Sequence, residues 1–155
     1  MSTNGTVQKV PNAVLARLNP AEILTGWTML FVSLRESKMF ASDAQITKLL
    51  HDSAAGKAQM WILRRPEERV LVGVLVSKIF DHPYHGERAF TIVHAHVHDG
   101  NFVEKSVWLG VFKMLMKYAK HNGCTYAEIY SENARVKQLL EAFGFAPTSV
   151  YRREL

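Results

Sequence analysis

The fold is decided by residues 104–145, which read EKSVWLGVFKMLMKYAKHNGCTYAEIYSENARVKQLLEAFGF. Apolar residues in the first part recur at the spacing of one helix face. They are Val107, Val111, Met114, Leu115 and Tyr118. The pattern places this helix over residues 104–121 and ends it before Gly123. A strand over residues 125–130 and a helix over residues 133–143 follow, so the segment predicts helix, strand, helix.

Upstream of that segment the hydrophobic pattern changes from helical spacing to the pattern of strands. Residues 59–63, 70–80 and 89–98 are apolar or alternating runs separated by turn residues, which predicts three antiparallel strands. Short strands are also predicted over residues 7–10 and 150–155. Strands grouped beside segregated helices indicate an α+β fold, with a central, mostly antiparallel, twisted sheet flanked by helices.

Two helices are predicted between the first strand and the hairpin. Asn19, Pro20 and Glu22 form a helix start, with a capping residue, a proline at the first position and a capping-box partner. The apolar stripe that follows is Ile23, Leu24, Trp27, Leu30, Phe31 and Leu34. Ser42 begins the next helix and Gly56 ends it. Its apolar residues are Ile46, Leu49 and Leu50.

The bulk composition narrows the class of protein. The 155 residues, of which 48% are hydrophobic, fit one globular domain over residues 1–155. The net charge of +5 suits an anionic partner or serves solubility alone. The single cysteine, Cys124, excludes an internal disulfide, and we expect an inert buried thiol. No stretch has the apolar length of a membrane span, so we expect a cytoplasmic protein.

Residues 89–155 resemble the GNAT superfamily of N-acetyltransferases. The resemblance rests on the long helix before Gly123-Cys124, the strand Ala127-Glu128-Ile129-Tyr130, and the spacing from Asn133 to Gly144-Phe145. The upstream order of strands agrees with that family. The resemblance implies a GNAT-like fold, and in an active member Asn133 would help to position the pantetheine arm of acetyl-CoA or the substrate.

The sequence departs from the family at the phosphate loop. In the family an Arg/Gln-x-x-Gly-x-Gly/Ala loop lets backbone N–H groups approach the pyrophosphate at a helix start. Here Val103 replaces the basic or amide residue, while Ser106 and Trp108 replace the two small residues. Glu104 adds a negative charge that repels phosphate. Ser106, Trp108 and Asn133 therefore hold the cofactor-binding positions in degenerate form, and we expect no cofactor, or acetyl-CoA if the protein is active.

A second departure lies in the last helix. Many members carry a tyrosine four residues before the glycine of Gly-Phe, where it protonates the departing thiolate. Leu140 occupies that position and has no proton to donate. Two losses at one site indicate a protein without ordinary acetyltransferase activity.

The sequence also resembles small GNAT-like virion and morphogenesis proteins of short-tailed bacteriophages. The shared residues are Gly100, Trp108, Gly123-Cys124 and Arg152-Arg153, with Gln59-Met60-Trp61 in the hairpin. This resemblance implies a pseudoenzyme that acts in the host cytoplasm or inside the virion. Its partners would then be virion or assembly proteins. Nucleic acid is a third class of partner, which rests on net charge alone.

Three histidines alternate along one predicted strand. His94, His96 and His98 therefore share one face of it. Histidines on a strand are most often structural, but in an active acyltransferase His96 or His98 would be the general base. Two of the rings could share a metal ion, yet no carboxylate or cysteine cluster accompanies them, and we predict no metal site.

Overall fold

One six-stranded sheet holds every strand in the described part of the chain, in the order β1-β2-β3-β4-β5-β6. The computed structural model describes residues 7–10, 13–38, 40–66, 71–84, 86–98, 105–129, 134–148 and 153. The strands are β1 (Val7–Val10), β2 (Ala13–Arg17), β3 (Gln59–Arg64), β4 (Leu71–Asp81), β5 (Arg88–Val97) and β6 (Tyr126–Ile129). The helices are α1 (Pro20–Thr25), α2 (Trp27–Glu36), α3 (Asp43–Ala54), α4 (Lys105–His121) and α5 (Ala134–Ala142).

The sheet is antiparallel from β1 to β5, and only the β5–β6 pair is parallel. Helices cover both of its faces, so the predicted α+β fold with a mostly antiparallel sheet is confirmed. The predicted last strand, over residues 150–155, lies outside the described residues apart from residue 153.

Each face of the sheet carries its own hydrophobic core. One core lies between the sheet and α1–α3, and its fully buried members include Leu30, Leu50 and Met60. The other lies between the sheet and α4–α5, where Trp61 and Phe90 are fully buried. Alternate residues of β3 enter opposite cores because side chains of a strand point alternately to its two faces.

The N-terminal region contains a strand that the sequence did not predict. Ala13–Arg17 forms β2, which pairs with β1 on one side and with β3 on the other. Its residues are short of β-branched side chains, so its propensity is weak, and burial of Leu15 on one face and Ala16 on the other fixes it in place.

The first predicted helix is in fact two. Gly26 ends α1 by donating its N–H to the Glu22 carbonyl, and its own carbonyl accepts from Leu30 as α2 begins. Leu24 is 62% exposed rather than on the buried stripe. It lies about 100° around the helix from the buried Ile23, so it faces away from the core. The helix start itself is as predicted: Asn19 Oδ1 accepts from Glu22 N at 2.8 Å, and Asn19 N donates to Glu22 Oε1 at 3.1 Å.

A β-bulge divides β5 into two halves. His94 pairs with Val76 and Ile92 pairs with Ser77, so Val93 is an extra residue without a partner on β4. The bulge exchanges the faces of the strand. Ile92 lies in the core under α4, whereas His94, two residues on, contacts Phe40 on the other face.

Among the described residues, the last pair between the parallel strands β5 and β6 is Ile92 with Ile129, directly before the bulge. Within those residues, the second half of β5 has a strand partner only on the β4 side. The start of α4 lies on one face of this half.

The second half of β5 also approaches β4 unusually closely at Gly73. A methyl group at this position would lie 2.6 Å from the carbonyl oxygen of His96, which is closer than Cβ atoms come to other atoms. We predict that Gly73→Ala lowers the free energy of unfolding by about 2 kcal/mol, because the strands must move apart. Urea denaturation measures the change.

The control for this prediction is Thr28→Ala on the exposed side of α2, which should change the unfolding free energy by less than about 0.5 kcal/mol. A Gly73→Ala variant as stable as the parent would show that the strands are not held this closely.

Candidate functional site

The candidate site lies between the second half of β5 and the first turn of α4. On the α4 side of the sheet a small hollow lies beneath that turn. Its walls are Leu15, Leu63, Gly73, Val74, Leu75, Ala95, His96, Val97, Trp108 and Val111. The lining is almost entirely apolar, so the hollow offers little to a phosphate or another charged group.

Trp108 closes this hollow from the helix side. Its indole is half-buried, packs against the core under α4, and lies 6.3 Å from the ring of Phe112 between centroids. The walls also include Ala95 and Val97, from the second half of β5. The structure thus places a large side chain between α4 and β5, at the position where the resemblance implies glycine or alanine.

Ser106 and Lys105 lie in the same first turn, and both are exposed. Neither touches the hollow. The two degenerate cofactor-binding positions in this turn therefore differ: Ser106 faces solvent, whereas Trp108 lines the hollow. Asn133 lies outside the described residues, as do residues 99–104, which precede the helix.

Leu140 is part of the packed interior. It is 8% exposed and belongs to the core between α4, α5 and the sheet. The carbonyl of Leu140 accepts hydrogen bonds from Phe143 N and Phe145 N where α5 ends. Its side chain can supply neither a proton nor a hydrogen bond, so this position contributes packing alone.

The three histidines lie on the opposite side of β5, facing α2 and the segment before α3. His94 is 4% exposed, and its ring lies 5.0 Å from that of Phe40. Its Nε2 is buried without a hydrogen-bond partner among the described residues. The rings of His96 and His98 meet edge to face at 5.1 Å.

His98 forms a polar cluster with two residues of α2. Its Nε2 lies 2.7 Å from Ser33 Oγ, and its Nδ1 lies 3.4 Å from a carboxylate oxygen of Glu36. The backbone N–H of His98 donates to the Val72 carbonyl at 2.9 Å, which fixes the end of the strand. A hydroxyl, an imidazole and a carboxylate in series are a common arrangement for moving a proton.

Sequence reasoning identified His98 but missed Ser33 and Glu36. They are 65 and 62 positions away in the sequence, and only the packing of α2 against the sheet brings them near. One signal was available. Ser33 falls between Leu30 and Leu34 on the buried stripe of α2, and a polar residue in such a stripe needs a partner.

The same arrangement bears on the metal hypothesis. Within the described ranges, no group of three or more His, Cys, Asp or Glu side chains is placed to hold an ion.

Within the same ranges, no helix has the length and apolar character needed to cross a bilayer.

Cys124 lies at the other end of the sheet, after α4. Burial raises the pKa of its thiol, and the nearby charge of Arg88 opposes that shift. A thiol with a raised pKa holds little thiolate at neutral pH, as expected of an inert residue.

Solved structures of acetyltransferases share this architecture. The chain is similar to AAC(6′)-Iy in complex with the bisubstrate analogue CoA-S-monomethyl-acetylneamine (TM-score 0.70, 13% identity, covering 94% of this chain and 100% of that one). It is also similar to a predicted acetyltransferase with acetyl-CoA from Clostridium acetobutylicum (TM-score 0.69, 12% identity, covering 92% and 96%). A third is a GCN5-related N-acetyltransferase from Ralstonia eutropha JMP134 (TM-score 0.68, 14% identity, covering 92% and 98%).

No protein-family model matches the sequence, and no curated protein matches it significantly. The structural likeness therefore establishes the fold, which is that of the GNAT N-acetyltransferases. Its neighbours of that fold are enzymes, two of them solved with acetyl-CoA or a CoA conjugate.

The buried His94 generates a prediction about pH. Burial lowers its pKa from the ordinary value of 6.5 to about 4, and the positive charge of His96 adds to the effect. The unfolded chain then binds a proton more readily than the folded one, so stability is lost as pH falls from 6.5 towards 4. His94 should account for a loss of about 2 kcal/mol between pH 7 and pH 5.

Urea denaturation of the parent and of His94→Leu at both pH values tests this. Between pH 7 and pH 5, His94→Leu should lose about 2 kcal/mol less unfolding free energy than the parent. The control His121→Gln, at an exposed position of α4, should lose as much as the parent does. Equal pH dependence of parent and His94→Leu would contradict the buried, neutral state of this ring.

Proposed function

We propose that the chain is a GNAT-fold protein that no longer performs ordinary acetyl transfer and that acts by binding other proteins. Its partners, on this proposal, are virion or assembly proteins of a tailed bacteriophage. The fold supplies a rigid two-core scaffold, and the site that serves chemistry in related folds is given over to packing.

The place of Trp108 carries the proposal. A cofactor pyrophosphate held at a helix start needs small residues there, since backbone N–H groups must come within hydrogen-bond distance of it. The indole instead lines the hollow between the first turn of α4 and the second half of β5, and it packs against the core. The residues in the described first turn therefore do not fit the glycine-based cradle for acetyl-CoA.

Leu140 supports the same conclusion independently. An aliphatic side chain buried in the core cannot protonate a leaving thiolate, and no substitution of its surroundings would restore that role. The cofactor-binding positions and the position of the general acid therefore both differ from the family pattern. This is expected of a protein that no longer needs acetyltransferase activity.

The phage part of the proposal rests on the sequence resemblance to small GNAT-like virion proteins. Trp108 and Gly123-Cys124 are among the shared residues, and the structure gives both a structural role. Trp108 is half-buried against the core, and Gly123 ends α4 with a φ of 78°. Such residues are retained when a protein keeps its fold but not its chemistry.

Calorimetric titration of the purified protein with acetyl-CoA at physiological salt tests the loss of the cofactor site. We expect no detectable heat of binding up to millimolar cofactor, which corresponds to a binding free energy weaker than about −4 kcal/mol. Desulfo-CoA is the matched control ligand, since it shares the pyrophosphate. A micromolar dissociation constant for either would overturn the proposal.

A second candidate function is favoured by one observation, the cluster of Ser33, His98 and Glu36. It is an acetyl-CoA-dependent N-acetyltransferase with an atypical cofactor loop. His98 Nε2 would take the proton from an amine acceptor, while Glu36 would stabilise the charged ring at Nδ1. This candidate requires that the pyrophosphate be held without the glycine pattern.

An assay with a panel of amine acceptors tests the second candidate. If turnover is seen, His98→Gln should lower kcat by about 100-fold or more, because a positioned general base contributes that much. Ser33→Ala should alter the pH dependence of kcat, and His121→Gln should leave turnover unchanged. Full turnover in both His98→Gln and His96→Gln would exclude a histidine base.

A further inference from the structure

The outward face of α4 carries most of the net charge of the protein. Its 17 residues include four lysines and no aspartate or glutamate, whereas the whole chain has a net charge of +5. The lysines are Lys105, Lys113, Lys117 and Lys120, and all four are exposed. We call them the α4 lysine row.

Helix geometry places the row on one side. At 3.6 residues per turn, the four positions fall within an arc of about 120°. At 1.5 Å per residue, they extend along about 22 Å of the helix. The opposite side of α4 is buried, with Val111 and Leu115 in the core, so the row is fixed in direction by the packing beneath it.

No carboxylate neutralises the row within the part of the chain that the structure describes. The ion pairs found there join Arg35 to Asp43, Lys48 and Lys78 to Asp52, Arg88 to Asp81, and His98 to Glu36. None involves a residue of α4. The row therefore presents concentrated positive charge to an incoming ligand, whereas the α2–α3 surface presents paired charges.

The composition of this face distinguishes between anionic partners. Protein interfaces are depleted in lysine and need a buried apolar centre. Leu109, 40% exposed, is the single large apolar residue of α4 that is exposed to this degree. Leu109 falls among the lysines of the row, but one leucine is too small an apolar centre for a protein interface. A row of four lysines around it suits phosphate groups, which are contacted by charge and are not buried in an apolar pocket.

The same face favours a duplex over a single strand. Single-strand binding uses aromatic side chains on which bases stack. The aromatic residues of α4 are turned away from the row: Phe112 is in the core, Trp108 closes the hollow, and Tyr118 contacts Trp61. With no stacking platform on this face, the row contacts the phosphate backbone through charge.

We propose that the α4 lysine row binds the phosphate backbone of duplex nucleic acid, independently of base sequence. A duplex carries one charge per about 1.7 Å of axis, so about 13 phosphates lie along the 22 Å of the row. Up to four of them are neutralised by lysine. This surface is separate from the hollow at Trp108, and the inference does not depend on whether acetyl-CoA binds.

Fluorescence anisotropy with a labelled 30-base-pair DNA duplex, at 50–200 mM salt, tests the inference. The parent should bind with a slope of log K against log salt of about −3, which corresponds to three or four phosphate contacts. Lys113→Gln/Lys117→Gln should reduce that slope by about 2 and weaken binding at 50 mM salt by at least about tenfold. Lys113 and Lys117 both lie on an exposed helix face, so the double variant should fold as the parent does. An unchanged melting temperature would verify this.

A charge-matched control separates the row from bulk charge. Lys38→Gln/Lys57→Gln removes two exposed lysines away from α4 and should leave the binding slope unchanged. Equal weakening by both double variants would overturn the proposal, as would the absence of saturable binding at 50 mM salt. Displacement of the duplex by polyglutamate at equal charge would also overturn it, and would point to an acidic protein as the partner.

Discussion

The extra residue in β5 is the constraint on which the site depends. Val93 has no partner on β4, and this single insertion exchanges the two faces of the strand. It directly follows Ile92, the last residue of β5 that pairs with β6 among the described residues. The bulge is held from the β4 side. Ser77, which pairs with Ile92, accepts from Trp61 Nε1 at 3.0 Å and donates to Gln59 at 2.9 Å. A buried serine with both bonds made fixes the register there.

Two different surfaces follow from that bulge. Towards α4, the second half of β5 presents Ala95 and Val97, which line an apolar hollow together with Trp108. Towards α2, it presents three histidines, of which His98 meets Ser33 and Glu36. The apolar hollow and the polar cluster of His98 thus lie on opposite faces of the sheet. This separation is the basis of our proposal that the chain keeps the GNAT fold without ordinary acetyl transfer.

Much of the fold follows from local chemistry that the sequence displays. The capping box at Asn19, the buried stripe of α4 and the glycines that end α3, α4 and α5 are decided by neighbouring residues, and all were predicted. The strand β2 was not predicted, because its pairing depends on β3, which lies more than 40 positions away. The break at Gly26 was missed because the apolar spacing continues across it, and only the backbone shows that this residue ends α1.

The site was less predictable than the fold for a related reason. Trp108 and Leu140 could be recognised as departures, since each was compared with a family pattern at a fixed position. The bulge at Val93 cannot be recognised from the residues of β5 alone. It is a one-residue change in the pairing register with β4, and the register is defined only when the partner strand is known. The contact of His98 with Ser33 likewise requires α2 to be packed against the sheet.

The central claim is that packing has replaced cofactor binding between α4 and β5. The most direct measurement is a titration of isotope-labelled protein with acetyl-CoA, followed through the backbone amide signals of residues 95–98 and 105–108. The account predicts that these signals do not move up to millimolar cofactor. Saturable shifts confined to these two segments would show that the cleft still accepts the cofactor, and would contradict the account.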